Sequence, residues 1–130
     1  MARNINYQKV IYWVITMKDF IKVTKALSDP NRVKIIKMLQ HKMMCVCEMK
    51  EALQISQPSV SKHLKILEEA GLVSFKKDGL WVDYFLTDGR KSRYVASLMG
   101  NLQHWLEEDP EITELVRQLP HIRREAVCKK

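Results

Sequence analysis

The apolar positions of this chain change their spacing several times, and each change marks an element. Phe20, Val23 and Leu27, with Ile21 and Ala26 beside them, recur at helical intervals and predict a helix over about 17–27. Ser28-Asp29-Pro30 is a start signal: a capping side chain, then a proline whose missing N–H costs nothing in a first turn. The second helix then points Val33, Ile36 and Leu39 inward and Arg32, Lys34 and Lys37 outward. A third helix runs over about 47–53, and Gln54-Ile55-Ser56 turns the chain into a fourth. That fourth helix has Ser56 as cap, Pro58 near its start, Val60, Leu64, Leu67 and Ala70 on one face, and Gly71 as its left-handed stop.

Two β-prone runs, 72–76 and 81–86, flank Lys77-Asp78-Gly79, and Asp-Gly is a strong hairpin signal. Helical spacing then returns through Tyr94, Val95, Leu98, Leu102, Trp105 and Leu106, predicting a helix from about 92 to 108. Ile112, Leu115, Val116 and Leu119 give a last short helix before Pro120. The basic tail, 121–130, is expected to be mobile. Residues 5–16 read equally as a strand or as an extension of the first helix. Three helices, a recognition helix, a hairpin and another helix form the order of a winged helix-turn-helix, mainly α with a small β-hairpin wing.

Composition narrows the partners. The chain has 130 residues, 46% hydrophobic and 28% charged, which suits one compact globular domain. Its net charge of +7 favours a polyanion, nucleic acid before membrane. The apolar run 10–17 is closed by Lys9 and Lys18 and falls short of the roughly 20 residues a bilayer needs. It also lacks the cleavage site of a secretory signal. A cytoplasmic location is expected, and three cysteines there are read as free or metal-binding thiols.

Once Val60, Leu64 and Leu67 are spent on the core, the fourth helix keeps Gln57, Ser59, Ser61, Lys62, His63 and Lys65 outside. The N-terminal part of such a helix usually enters the major groove. A glutamine amide there pairs with adenine, serines meet bases or phosphates, and Lys62 and Lys65 suit phosphates. His63 is open between a base contact and an idle exposed ring. Lys76 and Lys77 lie near the wing tip, placed for backbone or minor groove, while Trp81 and Tyr84 are expected to pack.

Three stretches together carry a family resemblance. They are Ala26-Leu-Ser-Asp-Pro-Asn-Arg-Val-Lys-Ile-Ile-Lys-Met-Leu39, Cys45-Val-Cys-Glu48, and Ser56-Gln-Pro-Ser-Val-Ser-Lys-His-Leu-Lys-Ile-Leu-Glu-Glu-Ala-Gly-Leu-Val73. They resemble the ArsR/SmtB family of bacterial metal-responsive repressors over about residues 17–107. The resemblance implies a homodimer joined through the first helix and the one over about 92–108, with Phe20, Val23, Tyr94, Leu98, Leu102 and Trp105 at its interface. It also implies an operator of double-stranded DNA with an inverted repeat, and release when an inducer binds. On it, 17–109 form the winged helix-turn-helix with its dimerisation helices. Residues 1–16 are an extension of unknown role, and 110–130 a short helix and tail.

The Cys-Val-Cys element looks like the arsenite-sensing type. Trivalent arsenic and antimony take three ligands and prefer thiolates, and a helix start is expected to lower thiol pKa. Residues two apart on a regular helix point about 200° from one another, so chelation by Cys45 and Cys47 is expected to unwind the first turn. The resemblance implies a third cysteine where Lys50 stands. Cys128 is the candidate replacement, from the same chain or across a dimer; a cellular thiol or a two-coordinate complex is the alternative. Against these stand plainer readings: Cys45 and Cys47 as small buried hydrophobes, Cys128 as a spare surface thiol.

Cadmium/lead-type members pair the motif with N-terminal cysteines, and residues 1–44 contain none. Zinc-type members need more histidines than His104, with Glu107 and Glu108, provides. The methionines at 17, 38, 43, 44, 49 and 99 read as filling. The expected function is a repressor induced by As(III) or Sb(III). Its alternatives are another thiophile (an organoarsenical, cadmium or lead), thiol oxidation, or a DNA-binding module without effector. No Cys-x-x-Cys pair or phosphate-binding glycine loop suggests an enzyme, and no catalytic cofactor is expected.

Overall fold

The computed structural model describes residues 16–128. The expectations for residues 1–15 lie outside them. Helix α1 (Met17–Ala26) begins with a capping box, in which the Thr16 N–H donates to Asp19 at 3.0 Å and the Asp19 N–H to the Thr16 hydroxyl at 3.3 Å. Helix α2 (Pro30–Leu39) starts as its sequence signal requires: the Asp29 carboxylate accepts from the N–H groups of Asn31 and Arg32. Helices α3 (Val46–Leu53) and α4 (Gln57–Glu69) are joined by a tight turn at Gln54, whose backbone is left-handed at φ 55°. Ser56 caps α4 and Gly71, at φ 81°, follows its end.

Strands β1 (Val73–Asp78) and β2 (Trp81–Leu86) pair antiparallel, with Val73 opposite Leu86 and Asp78 opposite Trp81. Gly79 and Leu80 make the two-residue turn, and Gly79 takes the positive φ of 61° that this turn demands. Lys76 and Lys77 therefore lie on the strand below the tip. A bridge between Met44 and Tyr84 ties the hairpin to the start of α3. The winged helix-turn-helix is thus observed.

The core gathers α2, α4 and the hairpin's base around Ile35, Ile36, Met38, Met49, Leu64 and Leu67. Burial on α2 is wider than a stripe. Lys37, expected to face outward, is fully buried, because the helix runs through the centre and its end is covered on all sides. Its ammonium donates to the carbonyls of Leu102 at 2.8 Å and Trp105 at 3.0 Å, with Glu107 at 3.4 Å. The same contact marks another departure. Helix α5 (Arg93–Leu102) ends about six residues before the boundary read from its spacing, and the chain turns through Leu106 at φ 66°. Carbonyls freed there are the ones Lys37 satisfies.

Helix α6 (Pro110–Gln118), capped by Asp109, leads into a 3-10 turn (Leu119–His121) and a short helix α7 (Arg124–Val127). The tail, expected to be mobile, is packed over its described part. Ile122 and Cys128 are buried, and the Lys42 ammonium donates to the Ile122 carbonyl at 3.1 Å. Among the described residues no helix is long and apolar enough to cross a membrane.

Candidate thiol site and DNA-facing surface

Cys45 is the N-cap of α3, with extended backbone (φ −91°, ψ 171°), and Cys47 lies inside the helix. That placement removes the geometric conflict read from the sequence. The two thiols are not both on a regular helix, and they converge with the first turn intact. Cys128, the C-cap of α7, completes the group. The three sulfur atoms lie within 4.8 Å of one another, and those of Cys45 and Cys128 are 3.3 Å apart. The three thiols come from one chain, through two elements far apart in sequence.

Three thiols at this separation fit a soft ion. Sulfurs bound to zinc at about 2.3 Å stand on the order of 4 Å apart, so small side-chain adjustments bring this trio to ligating distance. Cys45 and Cys128 are buried and Cys47 is half-buried. Desolvation pushes the Cys45 thiol up, against a Glu48 N–H hydrogen bond that lowers it, and raises Cys128 strongly. The helix start was expected to favour the thiolate; at Cys45 desolvation outweighs it.

A charged frame surrounds the sulfurs. Glu48, itself buried, accepts from the Cys45 N–H at 3.0 Å, faces Lys42 at 3.5 Å and faces Arg124 at 3.5 Å. Arg124 also pairs with buried Asp83 of β2, lies 3.9 Å from Asp78, and sits 5.1 Å from the centre of the Trp81 ring. Sequence reasoning missed Lys42, Glu48, Asp83 and Arg124. The available signals were Glu48 in the capping-box position and an acid at an inward position of β2.

On α4, Gln57, Ser61, Lys62 and Lys65 are exposed, and Ser59 is half-buried with its hydroxyl 2.9 Å from that of Ser56. His63 is half-buried rather than free, with Nδ1 3.3 Å from the Arg32 guanidinium and 3.9 Å from Asp29. Arg32 in turn donates to the Ala26 carbonyl at 2.6 Å, so one side chain joins α1, α2 and α4. Lys76 and Lys77 are exposed on β1.

The six residues read as a dimer face separate into three pairs. Val23 and Leu102 are buried within the subunit, and Tyr94 and Leu98 are half-buried. Phe20 remains 41% exposed although it meets Tyr94 edge-on at 5.1 Å, and Trp105 is 51% exposed. Met17, Ile21 and Leu106 add exposed apolar surface to α1 and to the turn after α5.

Comparison with known proteins is consistent with this architecture. Residues 29–74 match the model of the bacterial regulatory protein, arsR family. The arsenical resistance operon repressor of Escherichia coli is 33% identical over 102 residues, covering 76% of this chain and 83% of that protein. An uncharacterized HTH-type transcriptional regulator of Methanocaldococcus jannaschii is 41% identical over 75 residues, 57% of this chain and 84% of its own. Among solved structures, the homodimeric winged helix-turn-helix DNA-binding domain of a possible ArsR-family regulator from Mycobacterium bovis aligns with TM-score 0.59. The alignment has 22% identity and covers 85% of this chain and 97% of that one.

Proposed function

The chain belongs to the ArsR/SmtB family of DNA-binding transcriptional repressors, and we propose that it leaves its operator when trivalent arsenic or antimony is held by Cys45, Cys47 and Cys128. The observation that carries this reading is the convergence of three thiols within 4.8 Å at the start of the helix-turn-helix. Such a trio offers three soft donors and, among the described residues, no fourth ligand in the cluster, which suits a three-coordinate ion better than a tetrahedral one. Each subunit supplies a whole site.

Gln57, Ser59, Ser61 and His63 would read bases, and Lys62, Lys65, Lys76 and Lys77 would hold phosphates. A homodimer through α1 and α5, with Phe20 and Trp105 exposed at its face, would meet an inverted repeat. Ligation engages Cys45, the cap of α3, and α3 packs against α4, which is the route by which the site would reach the recognition helix. A relative is an arsenical resistance repressor by name, which supports the class of inducer.

The test is anisotropy of the reduced protein on DNA from its own promoter, titrated with arsenite. Wild type should release DNA. Cys128→Ser should bind DNA equally and need at least about tenfold more arsenite, the penalty of one lost donor. Equal responses would remove Cys128 from the site. A second reading is favoured by the 3.3 Å between Cys45 and Cys128: a peroxide would join them in a disulfide, consuming two thiols and no metal.

A further inference from the structure

Helix α7 carries two unlike functions within five residues. Its C-cap is Cys128, whose N–H donates to the Arg124 carbonyl at 2.8 Å, so the thiol and the guanidinium ride on one rigid turn. At the other end Arg124 holds the wing: it pairs with Asp83 on β2, approaches Asp78 at 3.9 Å and lies over Trp81. It also reaches Glu48 on α3 at 3.5 Å. Asp83 and Glu48 are both buried acids, and an acid in such a place holds its cation firmly.

We infer that Arg124 is the positioning residue that carries occupancy of the thiol site to the wing. The inference rests on the proposed function, since it takes the thiols as the inducer site. Drawing Cys45, Cys47 and Cys128 onto one ion moves Cys128 and, on the same turn, Arg124. Through its pairing with Asp83 and its contact with Trp81, Arg124 then shifts the hairpin that carries Lys76 and Lys77. The wing is thus a second output of the site, alongside the recognition helix.

The test compares full-length reduced wild type, Arg124→Ala and Arg124→Lys. Two quantities are measured: arsenite uptake by thiol–arsenic absorption, and the ratio of operator Kd with and without arsenite. Coupling between sites typically changes affinity by roughly 5–150-fold. With arsenite raised until each variant's thiols are occupied, the Arg124→Ala ratio should fall toward one, and Arg124→Lys, which keeps a cation beside Asp83, should recover part of it. An Arg124→Ala ratio equal to wild type, with the thiols occupied, overturns the inference.

A wing reporter separates this from failure of the proposed function. In protein labelled with 5-fluorotryptophan, the Trp81 resonance (assigned with Trp81→Phe) should shift on arsenite in wild type and not in Arg124→Ala. If wild type takes up arsenite yet keeps its DNA, the release reading fails, and this resonance decides alone. No shift in wild type overturns the inference. If arsenite is not taken up, the same measurements are read with cadmium, and a chain that takes up neither overturns both readings.

Discussion

The ammonium of Lys37 lies 2.8 Å from the carbonyl oxygen of Leu102, where it closes the end of α5 from the last turn of α2. A fully buried lysine that donates to two carbonyls replaces a cap which the sequence after Leu102 does not supply. Lys37→Met keeps the volume and removes the donors. Stability should fall by about 1.5–3 kcal/mol, the worth of hydrogen bonds to a charged group, in urea unfolding followed by circular dichroism. An unchanged midpoint would mean that water closes the helix equally well.

The raised thiols bear on ligand class. Desolvation holds Cys45 and Cys128 above the usual thiol range, so both are protonated at neutral pH. Arsenious acid exchanges its hydroxides for thiol sulfurs and releases water, with no net gain or loss of protons. A divalent cation must displace the thiol protons. Arsenite affinity should therefore stay nearly flat through neutral pH, while cadmium affinity rises by up to about tenfold per pH unit for each proton displaced. Competition titrations at several pH values read the two slopes, and equal slopes would contradict protonated thiols.

The exposed apolar residues of α1 predict the assembly. Ile21 is 51% exposed beside Phe20, and Trp105 is equally open. Ile21→Glu should leave the fold intact and shift sedimentation from dimer to monomer, weakening operator binding with it. A variant that sediments as wild type would place the dimer face elsewhere.

Lysines and the glutamine of the DNA-facing surface should behave differently. Lys62→Ala or Lys76→Ala should weaken binding to all sequences and reduce the salt slope by about one each. Gln57→Ala should cost about 1–3 kcal/mol on the best operator and little on others. A uniform loss for Gln57→Ala would reassign it to the backbone.

The helix-turn-helix and the wing were legible because local signals agree there: Asp29 and Ser56 as caps, Gly71 as a stop, Asp78-Gly79 as a turn. The pair Cys45 and Cys47 was legible from its place. Four features were not. Lys37 belongs to a run of charges that reads as solvated, and its acceptors lie 65 residues onward. The extended backbone at Cys45 depends on where α3 begins, and a shift of one residue changes where a thiol points. The tail reads as basic and loose because Arg124 finds its acids only after β2 and α3 have come together. Of the residues expected at the dimer face, Val23 and Leu102 are buried in the subunit's own core, a placement that spacing alone does not reveal.

The order of the thiols along the chain has a consequence for damaged or unfinished molecules. Recognition helix, wing and α5 all precede α7, so a chain cut or terminated between His121 and Cys128 retains every residue proposed to face DNA and loses the third sulfur. Proteolytic trimming or a late stop codon would thus yield a repressor deaf to its inducer rather than a dead one. On the proposed function, a cell carrying even a minor share of such chains would keep the operator shut in the presence of arsenite.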